Sequence, residues 1–402
     1  MRSVGLVALG CVVLVAPARA GGDEAKKWVA QLASKDEAKV QAALEGLAAL
    51  NREGLPHLCS ALDDARVTVR LGALRQLARL GDIAAEALPK LAEHGARLAT
   101  SDAATLGRAL FDAAVVAGIE SRINPLTLIA AEPGMSELDR KDADRVLEAR
   151  VTTQVLAVLG KHAPLRLFEL VSAAPRATAP NDFSVPRVAL VIALRQILEA
   201  ASEDQTRSLA GVVVQGAHSE SLDARVTALA AAAAFEDAPE ELETVVESAL
   251  SSGEARERAM ACAVIAQWPA DCERRGGALA ALFADTLAYP RLFAAAAARR
   301  HCGPSPEGER VMLAALADAD TETRIAAIEV LNGMGFRPPA RAAELLGECL
   351  KSRSERLLVA ACDALAVLGE QAAAVEPHIA ALTKHKSFQV RRAAERAHQR
   401  VR

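Results

Sequence analysis

Residues 318–335 read DADTETRIAAIEVLNGMG, and this stretch decides the fold. Asp318 stands six positions before Arg324, and Ala327 and Leu331 follow the arginine at its third and seventh places. A short polar residue is typical of the turn that opens a helix, where it caps free N–H groups. Apolar residues spaced by three and four place one stripe along a helical face. The stretch therefore predicts a turn followed by an amphipathic helix.

The same spacing of a short polar residue and an arginine recurs along the chain. The pairs are Asp64/Arg70, Asp102/Arg108, Asp144/Arg150, Asn181/Arg187, Ser219/Arg225, Ser252/Arg258, Asp285/Arg291 and Asp318/Arg324, with weaker copies at Ser34/Val40, Ser352/Leu358 and His385/Arg391. From Arg225 onward the copies are separated by 33, 33, 33, 34 and 33 residues. A fixed step of this length predicts an all-α protein of about eleven stacked helical hairpins, each burying its stripe against the next.

Residues 62–81 and 318–335 resemble HEAT repeats, and the short step is similar to the PBS-lyase HEAT-like variety found in bilin lyases. The resemblance covers the chain from about Asp23 to the C-terminus. It implies a right-handed alpha-alpha superhelix, a HEAT-type solenoid, in which the aspartates and arginines form a structural ladder between repeats. It also implies that the second helices line a concave surface. Leu358 replaces the ladder arginine, so we expect the ladder to be interrupted there.

Residues 1–20 form a segment of a different kind. Arg2 precedes the apolar run Val4–Val15, and small residues end the segment at Ala20, as a signal peptidase requires. We expect a cleaved secretory signal and a periplasmic or extracellular protein; an uncleaved anchor and a lipoprotein signal are the alternatives. The solenoid would then occupy residues 21–402, with irregular units over about 83–185 and regular units over about 203–402.

The charge of the chain is mildly acidic. Removal of Arg2 and Arg19 from the 47 basic residues leaves 45 against 51 acidic ones, a net charge of -6. Nonspecific nucleic-acid binding relies on a positive field, so we expect no nucleic-acid partner. Residues 384–402 are locally basic, which indicates either a solvated helix that caps the stack or a docking patch for an acidic partner or a membrane surface.

Composition explains how such a stack is filled. Of the 402 residues, 51% are hydrophobic but only 3% are aromatic. The buried surface must therefore consist mainly of alanine, leucine and valine, and alanine allows helices to approach closely. Cys272 and Cys302 occupy comparable places after the second helices of adjacent predicted units, so they could bridge in an oxidising compartment. Two free thiols are the alternative.

No catalytic motif is present in the sequence. It contains no HExxH, no GxSxG, no P-loop and no CxxC, and its eight histidines are dispersed. We therefore expect no enzyme activity, no metal and no cofactor. An enzyme or chromophore-handling protein of the bilin-lyase type is the alternative that the resemblance implies.

The expected function is that of an exported scaffold that binds a protein or peptide along the solenoid. Helical geometry assigns offsets of five, eight and nine from the ladder position to a face that points away from neighbouring units. The residues at these offsets form the candidate face: Arg75, Arg79, Arg195, Gln196, Gln267, Arg299, Arg300, Glu329 and Asp363. At the middle of the chain the same offsets carry alanines, which indicates either an apolar binding floor or close helix packing.

Overall fold

The computed structural model describes residues 20–98, 148, 151–173, 185–333 and 341–402. The regular structure of these residues is helical, without any strand, so the all-α prediction is confirmed. The chain divides into two compact units, Met1–Ile83 and Ala84–Arg402.

The first unit contains two described hairpins. Their helices are α1 (Ala20–Leu32), α2 (Glu37–Ala49), α3 (Leu55–Ala61) and α4 (Val67–Leu80). Helix α2 packs on the other three helices of the unit. The ring of Trp28 lies against Gly46, where an added Cβ would stand 2.3 Å from the indole. Glycine at this position therefore lets α1 and α2 approach.

The second unit continues the series of hairpins. Its helices are α5 (Leu88–Leu98), α6 (Val151–Gly160), α7 (Pro164–Ala173), α8 (Val185–Leu198), α9 (Glu203–Ala217), α10 (Leu222–Ala232), α11 (Glu240–Ala249), α12 (Ala255–Ile265), α13 (Cys272–Ala281), α14 (Ala288–Cys302), α15 (Pro306–Leu316), α16 (Thr321–Gly333), α17 (Ala342–Cys349), α18 (Glu355–Leu368), α19 (Glu376–Leu382) and α20 (Phe388–Val401). Short 3-10 turns lie at Gly81–Ala87, Leu282–Ala284 and Gly369–Val375. From α7 onward, the described helices pair into seven hairpins.

The core of the second unit lies between the second helices of successive hairpins. Helices α10, α12, α14, α16, α18 and α20 each pack on the next. The predicted apolar stripes are buried, because Ala261, Ile265, Ala327, Ala361 and Leu365 have no exposed surface. The buried residues are mainly alanine, leucine and valine with few aromatic rings, as the composition indicates.

One run of described helix, Glu355–Leu382, is long and apolar enough by composition to cross a membrane, with a mean hydropathy of 1.6. It consists of α18, the turn Gly369–Val375 and α19. Helix α18 packs on both α16 and α20, and Leu357 and Leu365 are fully buried in these contacts. One face of α18 therefore lies inside the stack, whereas Val367 of the same helix is 69% exposed.

Candidate binding cleft

The hairpin turns share two hydrogen bonds. The side chain of the first polar residue accepts the backbone N–H two residues later, as Asp318 Oδ1 does from Asp320 at 2.8 Å. The arginine six residues after the polar residue donates from Nη1 to the carbonyl of that residue, as Arg225 does to Ser219 at 3.0 Å. The side-chain bond recurs at Ser34, Asp64, Ser219, Ser252, Asp285, Ser352 and His385, and the arginine bond at Arg70, Arg258, Arg291 and Arg391. The six-residue spacing therefore reflects the closure of a turn.

The polar residue of the pair does not itself cap the second helix, which corrects the expectation from sequence. The cap is the residue two positions later. Ser221 accepts the N–H of Ala224 at 3.4 Å, and Asp320 accepts that of Thr323 at 2.8 Å. The oxygen of the polar residue is occupied by the N–H of the cap residue, so it orients the cap instead of replacing it.

Two of the predicted ladder arginines between α9 and α14 bond a carboxylate of the next hairpin. Arg258 donates from Nε to Asp285 Oδ2 at 2.6 Å and from Nη2 to Oδ1 at 3.0 Å. This bond holds the pKa of the Asp285 carboxyl below its usual value. Arg225 instead bonds Glu257 of the next hairpin, and the hydroxyl of Ser252 donates to the same carboxylate. In this hairpin the turn carries Ser252 in place of an aspartate, and Glu257 of α12 provides the carboxylate that bonds the arginine.

Other predicted ladder residues have different partners. Arg187 donates to Thr227 Oγ1 at 3.0 Å and lies 3.8 Å from Asp223 Oδ1. Asp64 pairs within its own turn, because Arg66 Nη2 lies 2.9 Å from Asp64 Oδ2, and this bond lowers the pKa of Asp64. The residues Asp102, Arg108, Asp144, Arg150 and Asn181 lie outside the described part of the chain.

The ladder is interrupted earlier than Leu358. Within the described residues, Arg291 makes one hydrogen bond, from Nη1 to the carbonyl of Asp285 at 2.6 Å, and none to Asp318 of the next hairpin. In the same part of the chain, Arg324 donates only to Thr321 Oγ1 at 3.3 Å, while its Nε is buried without a partner. The sequence pattern predicted a continuous ladder through both residues. This was wrong because the pattern reflects hydrogen bonds within each turn and contains no information on the distance between hairpins.

A cleft opens where the Arg291 rung is absent. It has a volume of about 580 Å³ and lies between the hairpin α13/α14 and helix α15. Its apolar lining includes Phe283, Leu292 and Val311 together with several alanines. Its polar lining consists of Arg291, Arg310, Ser305, Glu307 and Asp318. The cleft thus combines an apolar floor with charged edges, and a mostly apolar lining with a few polar groups is the usual composition of a ligand site.

The candidate face is partly exposed, and some of its residues already have partners. In the first unit, Arg75 is half-buried, and desolvation lowers its pKa; Arg79 is exposed and donates to Gln76 at 3.3 Å. In the second unit, Arg195 donates to the carbonyl of Ala233 at 3.1 Å. The other members are exposed at Arg300 and half-buried at Gln196, Gln267, Arg299, Glu329 and Asp363.

The alanines at the middle of this face belong to the core. Ala230, Ala263 and Ala266 are 2%, 3% and 0% exposed, and Ala234 is 3% exposed. They pack between neighbouring second helices and offer no apolar floor to a ligand. Of the two interpretations of these alanines, the structure supports close helix packing.

A second set of ion pairs, which the sequence reasoning missed, crosses between hairpins. Arg256 bonds Asp223 at 2.7 Å, and the corresponding pairs Arg356–Glu322 and Arg396–Asp363 measure 2.8 and 2.9 Å. The signal that would have found them is opposite charge at a separation of one repeat, 33 or 34 residues. Because most of these groups are partly exposed, the pairs orient the helices more than they stabilise them.

Part of the charge on the basic C-terminal helix is paired within the stack. Arg396 bonds Asp363, Arg391 donates to the carbonyls of His385 and Lys386, and Arg402 Nε lies 3.5 Å from Glu376. These contacts favour its role as a cap on the stack over a docking patch.

The structure joins Cys272 and Cys302 in a disulfide. Cys272 begins α13 and Cys302 ends α14, so the bond closes the open end of one hairpin. Beside it, His301 is buried; its Nδ1 accepts the N–H of Asp271 at 2.8 Å and its Nε2 lies 2.7 Å from the carbonyl of Ile265. Burial lowers the pKa of His301. The two bonds require the neutral ring with its proton on Nε2.

The described residues contain no group of three His, Cys, Asp or Glu side chains that could hold a metal ion. Among the described cysteines outside the disulfide, Cys262, Cys349 and Cys362 are buried, and desolvation raises their pKa, to about 12 for Cys362. Such thiols are unreactive as nucleophiles at neutral pH.

No protein-family profile and no curated protein sequence matches the chain. Among solved structures, the chain is similar to an engineered protein with a TM-score of 0.33 and 16% identity, over 94% of this chain and 98% of that one. It is also similar to the karyopherin Kap121p bound to Nup53p, with a TM-score of 0.45 and 14% identity, over 94% of this chain and 45% of that one. The chain thus spans less than half the length of Kap121p. The hairpins themselves, with their turn pattern, make this a repeat of stacked helical hairpins.

Proposed function

We propose that this protein is an exported, noncatalytic scaffold that binds a polypeptide of another protein. The observation that carries the proposal is the open cleft between α13/α14 and α15, with an apolar floor and charged edges. Its walls belong to helices that their own turns and core hold in place. A cleft built on rigid elements binds an extended segment without first ordering itself, which preserves affinity.

The composition of the cleft supports binding over catalysis. Its lining contains no histidine and no cysteine, and the carboxylate of Glu307 pairs with Arg310 at 3.4 Å. An active site of hydrolytic or transfer type needs a nucleophile or base whose pKa is shifted toward neutrality. The net charge of -6 after removal of the signal supports a protein partner over nucleic acid. The regular 33-residue step favours the short-period variety of HEAT repeat.

Export is part of the proposal. The apolar segment that ends at Ala20 supports it, and so does the Cys272–Cys302 disulfide, since such bonds persist in oxidising compartments. The test is to express the full chain in a bacterium, isolate the periplasmic fraction and sequence the N-terminus of the product. We expect the sequence to begin at Gly21. A cytoplasmic product that retains residues 1–20 would remove export from the proposal.

Binding is tested by selecting displayed random peptides on the mature protein and then measuring the selected peptides against two tryptophan variants. Ala314 lines the cleft and is exposed, so Ala314→Trp fills the cleft without touching the core. Ala374 is an exposed alanine in the turn between α18 and α19, away from the cleft, so Ala374→Trp is the control. We expect Ala314→Trp to lose binding and Ala374→Trp to retain it. Equal binding by both variants would count against the cleft.

A further inference from the structure

We propose that the cleft recognises a carboxylate side chain that follows an apolar side chain in an extended peptide, and that Arg291 binds this carboxylate. The inference rests on the proposed function and names the chemistry of the peptide.

The preceding rung of the ladder provides the template for this contact. Arg258 uses Nη1 for the carbonyls of its own turn, at 2.8 Å to Ser252 and 3.1 Å to Gly253. Its remaining edge, Nε with Nη2, holds both carboxylate oxygens of Asp285. This two-point geometry matches the planar guanidinium to a carboxylate and makes the bond strong and selective.

Arg291 repeats the first half of this arrangement and lacks the second. Its Nη1 donates to the carbonyl of Asp285 at 2.6 Å, which fixes the guanidinium in the turn as in Arg258. Among the described residues, no acceptor meets its Nε or Nη2, and neither atom belongs to the buried polar atoms that lack a partner. The edge that holds a carboxylate in Arg258 is therefore solvated in Arg291, and Arg291 lines the cleft.

The other charges of the cleft leave room for an incoming carboxylate. Asp318, which the repeat pattern would place opposite Arg291, directs Oδ1 to the N–H of Asp320 at 2.8 Å. Glu307 and Arg310 pair with each other at 3.4 Å, both largely exposed, so they nearly cancel. Asp318 is the one acidic group of the cleft lining that opposes the ligand, and its removal should strengthen binding.

The apolar floor explains why the carboxylate needs an apolar neighbour. Phe283, Leu292 and Val311 line the cleft beside Arg291, with alanines in the remaining places. A leucine or phenylalanine of the peptide would bury its side chain there and remove water from the arginine, which strengthens the ionic contact. In an extended peptide, side chains two residues apart lie on the same face. The apolar side chain and a carboxylate two residues later would therefore reach the floor and the arginine together.

The experiment uses three fluorescein-labelled peptide pools and the mature protein. Each pool has random flanks and a fixed core, Leu-Gly-Asp, Leu-Gly-Asn or Leu-Gly-Lys. Binding is measured by fluorescence anisotropy with wild type, Arg291→Gln, Arg291→Lys, Asp318→Asn and the control Arg207→Gln. Arg207 is 71% exposed on another hairpin, so its variant matches the charge change alone. Thermal melting of each variant reports folding.

We expect the Asp pool to bind about ten-fold more tightly than the Asn pool, as one charge-assisted pair provides. Arg291→Gln should abolish the difference, Arg291→Lys should reduce it, Asp318→Asn should enlarge it, and Arg207→Gln should leave it unchanged. Asp318→Asn retains the side-chain oxygen that accepts in the turn, so this variant keeps the test valid if Arg291→Gln fails to fold.

Three outcomes would overturn the inference: equal binding of the Asp and Asn pools, preference for the Lys pool, or absence of binding by all three. If the Asp and Asn pools bind equally and Ala314→Trp abolishes this binding, the carboxylate is not recognised but the proposed scaffold function stands. Peptide binding that Ala314→Trp leaves unchanged would instead remove the cleft from the proposed function.

Discussion

Arg258 of one hairpin holds Asp285 of the next through two hydrogen bonds, from Nε to Oδ2 at 2.6 Å and from Nη2 to Oδ1 at 3.0 Å. The side chains are 14% and 4% exposed, so the pair is largely removed from water. The same two hairpins are also joined by Arg275, which bonds Glu243 and Glu247, and by His301, which faces the carbonyl of Ile265. The pair is therefore one of several directional contacts that fix how these hairpins meet.

Loss of this pair should destabilise the second unit. In Arg258→Ala the carboxylate of Asp285 remains buried without its partner, and we expect a loss of about 2 to 4 kcal/mol in the free energy of unfolding. Urea denaturation measures it. Arg207→Ala is the control, because the exposed pair Arg207–Asp204 should contribute only about 0 to 1 kcal/mol. Equal losses in the two variants would contradict a role of the pair in stability.

Acid should weaken the fold through the same carboxyl. The bond from Arg258 lowers the folded-state pKa of Asp285 below that of the unfolded chain. The stability from this shift is present above the unfolded pKa, about 4, and is lost as pH falls through the folded pKa. Asp285→Asn should therefore be less stable at neutral pH, and it should lose less stability than the wild type as the pH falls below about 4. Asp204→Asn, at an exposed position, should follow the wild-type curve.

Arg324 is expected to behave in the opposite way from Arg258. Its Nε is buried without a partner, and the equivalent position of the next hairpin is occupied by Leu358, which is 2% exposed. Arg324→Leu removes an unsatisfied donor, so we expect a gain of about 1 kcal/mol in unfolding free energy. Arg258→Leu, compared in the same urea titration, should lose stability. A loss above about 1 kcal/mol in Arg324→Leu would show that this arginine stabilises the fold.

His301 should make stability depend on pH near neutrality. The neutral ring accepts from Asp271 and faces the carbonyl of Ile265, and burial lowers its pKa. The unfolded chain therefore binds a proton at higher pH than the folded chain, and stability falls as pH drops below about 6.5. Urea midpoints between about pH 7.5 and pH 5 should show this fall. His301→Gln should reduce it, whereas His378→Gln, at an exposed site, should not.

The disulfide should stabilise the hairpin α13/α14. Its cysteines are separated by 30 residues, and a bridge over a loop of this length contributes roughly 2 to 4 kcal/mol. Reductant should lower the melting temperature of the wild type and leave the double variant Cys272→Ala/Cys302→Ala unchanged. A wild type that is indifferent to reductant, with two further thiols alkylated, would show that the bridge has little effect.

The turn pattern was accessible from the sequence, whereas the partners of its side chains were not. The spacing of Ser252 and Arg258 predicts a turn because their bond joins groups six residues apart. Glu257 is the partner of Arg225 because of the relative position of two hairpins and because the side chain of Ser252 is short and carries no carboxylate. The burial of the central alanines could not be predicted either. Alanines with the same spacing can line an exposed binding surface or pack against a neighbouring helix, and only the position of that helix decides between the two.

From the sequence alone follow the helical hairpins, their step and their buried stripes, because turn hydrogen bonds and helical periodicity act within a few dozen residues. Tertiary structure decided where the ladder closes and where it opens. The pairs Arg258–Asp285 and Arg291–Asp318 have similar surroundings in the sequence, yet the first is bonded and the second borders a cleft. The difference arises from the separation of two hairpins, which depends on the packing of all the side chains between them.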